Sequence, residues 1–302
     1  MPVASQTPSR CRACGSGPLV PHLRVQEAVG GTGLVPTTDR YGVALSNIAC
    51  CKSCGHMQLE RLPSEAELAD AYRVAVSGDY IEEEPGQRAT ARRILATIER
   101  HRAPGRLVDL GCWVGFFVSE AVRRGWVAVG VEPSEFASDY ARRELGLDVR
   151  TAGLFEAELS EASFDAVFMG DVIEHVPAAD EAVGRARSLL TGGGVLAMAL
   201  PDAGSRLARL LGRRWWSVIP THVHYFTRHS LATLLQRQGF EVLEITTSPK
   251  VFTVGYYLDR LGGYQTRLGR GLARGAAAAG IGNRLWAPDF RDRMLVIARL
   301  NS

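Results

Sequence analysis

The chain has no apolar run long enough to span a bilayer, and residues 1–10 lack the apolar core of a secretory signal. The expectation is a cytoplasmic protein with no membrane span. Lysine is almost missing: Lys52 and Lys250 stand alone among 35 basic residues. No dense basic run with interleaved aromatics occurs, which argues against DNA as a partner. Cysteine is scarce too, and five of the six lie in the first 54 residues. Two of those five form one Cys-x-x-Cys pair and two another, so without an export signal they point to metal before disulfide.

What is present is the balance of a soluble globular protein, with 46% hydrophobic and 22% charged residues. A length of 302 residues holds one ordinary to large domain together with a small one. The net charge of +3 hides an asymmetry. Residues 63–200 carry 14 basic and 23 acidic side chains, whereas residues 201–302 carry 15 and 6. Solvated charged faces account for this, or an anionic ligand near the last third does.

Cys11-Arg-Ala-Cys14-Gly and Cys51-Lys-Ser-Cys54-Gly are two copies of one device, separated by 36 residues. Two residues between cysteines let a tight turn aim both sulfurs at one ion, and four thiolates complete a tetrahedral zinc site. Gly15 and Gly55 follow where the chain must turn sharply. Residues 1–62 are too poor in large apolar side chains to hold a core, so a structural zinc at Cys11, Cys14, Cys51 and Cys54 is the expected staple. Cys50 and His56 break the symmetry and are expected to be bystanders. Redox Cys-x-x-Cys chemistry and a disulfide pair are the alternatives. Leu62-Pro63-Ser64 marks the boundary, with a Ser64/Glu67 capping box opening a helix over 64–75.

From about residue 86, helical and strand-like segments alternate, which predicts a Rossmann-like, mostly parallel sheet with helices on both faces. Seven strands are predicted, at 106–111, 127–132, 148–151, 164–169, 194–200, 241–247 and 293–300. Helices are predicted around Ala91, Ile94, Leu95 and Ile98, and over 115–124, from Ser134 to 145, over 178–190 and over 230–238. The first strand ends in Asp109-Leu-Gly111-Cys-Trp-Val-Gly115, where glycine lets the backbone approach a ligand. Glu132 ends the second strand 21 residues beyond Gly111, where a carboxylate can accept both ribose hydroxyls of a nucleoside.

These motifs resemble those of class I S-adenosylmethionine-dependent methyltransferases. Residues 108–115 resemble the family's D-x-G-x-G-x-G turn, with Trp113 in place of the middle glycine. Gly130-Val-Glu-Pro-Ser134 resembles the ribose motif, residues 164–176 the fourth-strand motif and residues 192–201 the fifth strand. The resemblance implies that Asp109, Gly111 and Gly115 line the methionine end of the cofactor. It also implies that Glu132 holds the ribose, Leu154 and Phe155 flank the adenine, and Gly170 sits beside the sulfonium. With its N-terminal zinc module, the chain further resembles methyltransferases of sugars and natural products. In many of those relatives a Glu precedes the loop His, where Thr221 stands here.

The loop over 213–227 follows the fifth strand and concentrates His222, His224, Tyr225, Trp215 and Trp216. At the carboxyl end of a parallel sheet such a loop carries function more often than packing. His222, His224, His175 and Tyr225 are therefore the candidates for removing the acceptor proton, His222 first. The acceptor implied is a small molecule, a sugar or glycosylated natural product by its hydroxyl first and by carbon next. Residues 251–289, with Tyr256, Tyr257 and Tyr264 and a helical run at 266–279, form an insertion that caps the acceptor pocket or makes a homodimer contact. Rival readings are a nicotinamide oxidoreductase, a zinc-bearing RNA methyltransferase and a non-catalytic zinc-binding adaptor with a degenerate cofactor fold.

Overall fold

A computed structural model of the chain describes residues 10–27, 41–64, 67–68, 73, 79–260 and 266–301. Most of the helix expected at 64–75 lies outside the described residues, as does Tyr264. The capping box itself is present: Ser64 N donates to Glu67 Oε2 at 2.8 Å and Glu67 N to Ser64 Oγ at 3.3 Å.

The N-terminal strands are β1 (Leu19–Leu23), β2 (Gln26–Glu27), β3 (Val43–Ala44), β4 (Ile48–Cys51) and β5 (Met57–Leu59). The main domain supplies β6 (Arg106–Leu110), β7 (Val127–Glu132), β8 (Val149–Thr151), β9 (Phe164–Gly170) and β10 (Leu190–Pro201). Then come β11 (His224–Tyr225), β12 (Phe240–Thr247), β13 (Phe252–Thr253), β14 (Leu285–Trp286) and β15 (Arg293–Leu300).

Seven of these form one sheet in the order β12-β15-β10-β9-β6-β7-β8. Strands β10, β9, β6, β7 and β8 run parallel, and β15 enters antiparallel between β10 and β12. All seven predicted strands are present. The fifth starts earlier than expected, at Leu190, because a register irregularity between Leu190 and Val195 accommodates the glycines 192–194. Leu107, Val108, Val167, Val195 and Leu196 are fully buried, which is why these strands read as apolar runs rather than alternating ones.

Helices cover both faces. Glu84–Ile98 turns Ala91, Ile94, Leu95 and Ile98 inward at helical spacing. Phe116–Arg123 stacks Phe117 on Phe168 of β9, with ring centroids 3.9 Å apart. Ser134 caps Glu135–Arg143 by accepting from Ala137 N, and Thr227 caps Arg228–Arg237. The chain leaves β6 toward β7 on one side, while β9 and β10 lie on the other. That reversal opens a crevice at the carboxyl ends of the strands, between β6 and β9.

The N-terminal ribbon is not a separate body. Its sheet has the order β1-β4-β5-β11, so its fourth strand comes from the loop after β10. His224 pairs with Gln58 and Tyr225 with Met57. Cys11, Ala13, Cys51 and Cys54 are buried in the same apolar cluster as Val183, Leu231 and Phe226 of the main domain. Arg12 and Arg237 both reach Asp180, at 3.3 Å each.

At the centre of this seam His224 Nε2 lies 3.1 Å from Pro177 O, and His224 Nδ1 lies 3.1 Å from His56 Nε2. The carbonyl can only accept, so His224 donates through Nε2 and accepts from His56 through Nδ1. The arrangement requires the His224 ring to be neutral, since it donates through one nitrogen and accepts through the other. Burial lowers the pKa of His224 to about 4 and that of His56 well below its ordinary value. The seam therefore contributes its full stability above about pH 6.5, the pKa of an unperturbed histidine, and loses it as the pH falls through about 4. Urea midpoints should fall between pH 7 and pH 4.5, with a slope of up to about 1.4 kcal/mol per pH unit for each such histidine. His224→Leu should be less stable at pH 7 and flatten that slope. An equally steep slope in the variant would assign the acid sensitivity elsewhere.

Candidate functional site

The turn between β6 and the next helix is built from four consecutive constraints. Gly111 has φ 83°, and a Cβ there would lie 2.5 Å from Val172 Cγ2. Its N–H and that of Cys112 both donate to Val131 O of β7, at 2.8 and 3.0 Å. Trp113 adopts φ 49°, a left-handed conformation that a middle glycine would reach without strain. Gly115, φ 83°, starts the helix, where a Cβ would meet Leu147 Cδ1 at 2.7 Å.

The Trp113 backbone has a polar task in that conformation. Its N–H donates to Glu132 Oε2 at 2.9 Å, and Ser134 N donates to Glu132 Oε1 at 2.9 Å. Glu132 is only 4% exposed. Burial raises its pKa to about 7, against the lowering effect of the two N–H donors. Each oxygen keeps a second lone pair for a ligand hydroxyl. Burial and then the Glu132 charge push neighbouring Asp109 well above the usual carboxylate range.

The turn opens into a cavity of about 910 Å³. Asp109, Gly111, Glu132, Leu154, Phe155 and Gly170 all line it, so six of the seven residues expected at the cofactor meet there. Gly115 lies outside the lining; it packs against Ala141 and Leu147 and shapes the turn.

His175, Thr221, His222, Asp171, Lys250 and Arg293 line the same cavity. His175 Nδ1 donates to Thr221 O at 3.0 Å and His222 Nδ1 to Ser217 O at 2.7 Å. Each bond fixes the tautomer with the lone pair on Nε2. The rings meet edge to face, 4.6 Å between centroids. Burial lowers His175 to about 4 and His222 well below its ordinary value, so both are neutral at pH 7.

His224 and Tyr225 do not reach this cavity. His224 belongs to the ribbon seam, and Tyr225 is buried with its hydroxyl donating to His222 O at 3.2 Å. The loop thus sends one of its two histidines to each side. The segment that carries all three residues is clamped by Val223, whose N–H donates to Glu174 O and whose carbonyl accepts from Leu59 N.

Several lining residues, and Glu174 next to His175 in the chain, were not singled out from the sequence. Asp171, with φ 55°, lies 2.7 Å from Lys250 Nζ and also pairs with Arg293. Burial alone would raise Asp171, but Arg293 and Lys250 hold it well below the carboxylate range. Glu174 is 2% exposed, and burial, then the Asp171 charge, lifts it to about 8. The run Asp171-Val-Ile-Glu174-His175 was the available signal. The insertion at 251–289 contributes Phe252, Tyr256, Tyr257 and Trp286 to the cavity wall. Tyr257 and Trp286 meet with centroids 5.5 Å apart, and Trp216 meets Phe290 at 5.6 Å.

The cysteines form a second, separate cluster. Cys11 Sγ is 3.6 Å from Cys54 Sγ, and Cys14 Sγ is 3.7 Å from Cys51 Sγ. All four sulfurs lie within 4.8 Å of one another, which fits a four-thiolate zinc ribbon. Cys50 and His56 stay outside the cluster.

Residues 80–245 match a family model described as a methyltransferase domain. Among curated proteins, a ubiquinone biosynthesis O-methyltransferase of Agrobacterium fabrum is 34% identical over 97 residues, 30% of this chain and 38% of that protein. A Mycolicibacterium smegmatis protein, named as a probable S-adenosylmethionine-dependent methyltransferase, is 30% identical over 147 residues, 47% of this chain and 54% of that one. The chain thus spans about half or less of the length of these relatives. Among solved structures, an S-adenosylmethionine-dependent methyltransferase of Archaeoglobus fulgidus superposes with a TM-score of 0.51 at 17% identity, covering 74% of this chain and all of that one. A possible histamine N-methyltransferase of Thermotoga maritima gives 0.50 at 21% identity, covering 74% and 95%. These two share the fold.

Proposed function

The chain belongs to the methyltransferase-domain family, and from that premise we propose that it uses S-adenosylmethionine to methylate a hydroxyl of a small molecule with the help of histidine. One observation carries the reading. A single cavity is lined by Glu132 and the glycine turn and also by the neutral imidazoles of His175 and His222. Methyl transfer from a sulfonium is an in-line displacement, so donor and acceptor must be held close and aligned. A cavity lined by both groups supports that arrangement.

In this reading Glu132 accepts the ribose hydroxyls. Leu154 and Phe155 flank the adenine, Asp109 and Gly111 face the methionine end, and Gly170 lies beside the sulfonium. His222 assists removal of the acceptor proton with His175 beside it, while His224 and Tyr225 hold the loop. The insertion acts as a cap, since its aromatic side chains wall the acceptor end. A sugar or glycosylated natural product remains the first acceptor class, because flat sugar faces stack on such walls. The four cysteines hold a structural zinc that has no open position for chemistry. Among the described residues no helix is long and apolar enough to cross a membrane.

Elemental analysis of protein purified without added metal should give about one zinc per chain, lost together with the fold of the ribbon when a strong chelator is added. Four freely reactive thiols and no zinc in folded protein would refute the metal assignment.

Replacing Glu132 by alanine should weaken S-adenosylmethionine binding by roughly 1.5–3 kcal/mol, the range for hydrogen bonds to a charged group. Ribose hydroxyls donate to the ionised carboxylate, so calorimetric affinity of the parent should also fall as the pH drops below about 7. A folded variant with unchanged affinity places the nucleoside elsewhere.

His222→Ala should lower turnover by about 10²–10⁴ with cofactor affinity nearly intact. His175→Ala should lower turnover as well, and His224→Leu should act through stability instead. Turnover within a few-fold of the parent in both His222 and His175 variants would leave proximity as the mechanism.

A further inference from the structure

Glu174 is the anomaly beside these two histidines. It is 2% exposed, and among the described residues no other residue hydrogen-bonds either carboxylate oxygen. Two nearby carboxylates do have partners: Glu132 has two N–H donors, and the partly exposed Asp171 has Lys250 and Arg293. A buried carboxylate left without donors is costly, and one natural resolution is a metal ion.

The neighbours of Glu174 have the matching chemistry. One ring nitrogen of His175, one of His222 and an oxygen of Glu174 all lie within 4.8 Å of one another. Both imidazoles donate Nδ1–H to a backbone carbonyl, Thr221 O or Ser217 O. Those carbonyl bonds are the outer support that metal-ligating histidines usually have, since they fix the ring and leave Nε2 as the coordinating atom. Two imidazoles and one carboxylate make a three-point face suited to a divalent first-row ion, with the remaining positions open.

We propose that Glu174, His175 and His222 form a site for one divalent metal ion where the two histidines line the cavity, distinct from the four-cysteine cluster. The site deepens the reading of a hydroxyl acceptor and rests on it. The acceptor oxygen takes an open position on the ion, and its proton passes to solvent. The oxygen then forms the O–CH₃ bond as the S–CH₃ bond breaks, and S-adenosylhomocysteine leaves as a neutral thioether. The histidines assist by holding the ion that acidifies the hydroxyl. Lys250 and Arg293 already outweigh the single charge of Asp171, so a divalent ion on Glu174 leaves surplus positive charge that an acceptor oxyanion offsets. An acceptor with a second oxygen next to the methylated one, such as a vicinal diol, fits two open positions.

Manganese is the probe, because four thiolates select softer ions and leave the ribbon undisturbed. Full-length protein titrated with Mn²⁺ alone and followed by the electron paramagnetic resonance signal of the unbound ion should take up about one equivalent. Glu174→Gln, which keeps the side-chain shape, and His222→Asn should each weaken uptake by at least roughly tenfold, as loss of a ligand costs no less than loss of its outer support. Cofactor affinity, measured by calorimetry on the same preparations, should not change in either variant. If the parent binds S-adenosylmethionine but no Mn²⁺, the site is refuted while the methyltransferase reading stands. Uptake that survives both substitutions in folded protein refutes it equally. Failure of the parent to bind S-adenosylmethionine would count against the function and leave the Mn²⁺ titration to decide the site.

Discussion

The clamp on residues 221–225 is the constraint from which the rest of the molecule takes its shape. Strand β11 completes the ribbon sheet by pairing with β5, while Val223 N is held by Glu174 O and Thr221 O by the His175 ring. One short segment thus joins the cysteine cluster, the turn after β9 and the wall of the acceptor cavity. A ribbon of this size has little core of its own, and here it borrows one: its buried cysteines lie in the apolar cluster that also holds Leu231 and Phe226. The cysteine cluster therefore acts at a distance. By holding β4 and β5 it holds β11, and by holding β11 it fixes where His222 points.

That coupling also explains why the sheet was legible in the sequence and the seam was not. Strands buried on both faces, such as Leu107–Leu110 and residues 195–200, are written as mostly apolar runs with glycine at one end, and local reading is enough to find them. Strand β11 is two residues long and pairs with residues about 165 positions earlier, so no local period announces it. The histidines illustrate the same limit. His222 and His224 sit in one loop with the same local surroundings. Whether each ring faces the cavity or the ribbon depends on Ser217 in one case and on His56 in the other. Sequence reading placed both at the acceptor because it could see the loop but not its partner. Glu174 was passed over for the related reason that an ordinary helix-turn glutamate and a buried one look alike until the packing is known.

The insertion at 251–289 adds a layer that the sheet does not need. Its strands β13 and β14 pair only with each other, and Glu83 at the start of the Glu84–Ile98 helix accepts from Thr253 N and Oγ1 at 2.8 and 2.7 Å. Gly86 lies so close to Val251 O that a Cβ would meet it at 2.3 Å. The insertion is thus fastened to the cofactor-side helix at one end and carries Tyr256, Tyr257 and Trp286 over the cavity at the other. The insertion's aromatic side chains thereby share one cavity lining with the glycine turn and the two histidines.

Trp113 poses the sharpest question about the cofactor turn, because a left-handed non-glycine residue costs about 1–2 kcal/mol. The geometry shows what that strain supports. At φ 49° the Trp113 N–H points at Glu132 Oε2, and a hydrogen bond to a charged acceptor is worth about 1.5–3 kcal/mol, enough to offset the strain. The conformation is therefore maintained by the same carboxylate that ends β7, and the turn keeps the path a glycine would give it. The indole replaces a hydrogen atom, not a backbone contact. A tryptophan at this position is compatible with a working cofactor turn, so it lends no weight to a degenerate, non-catalytic fold.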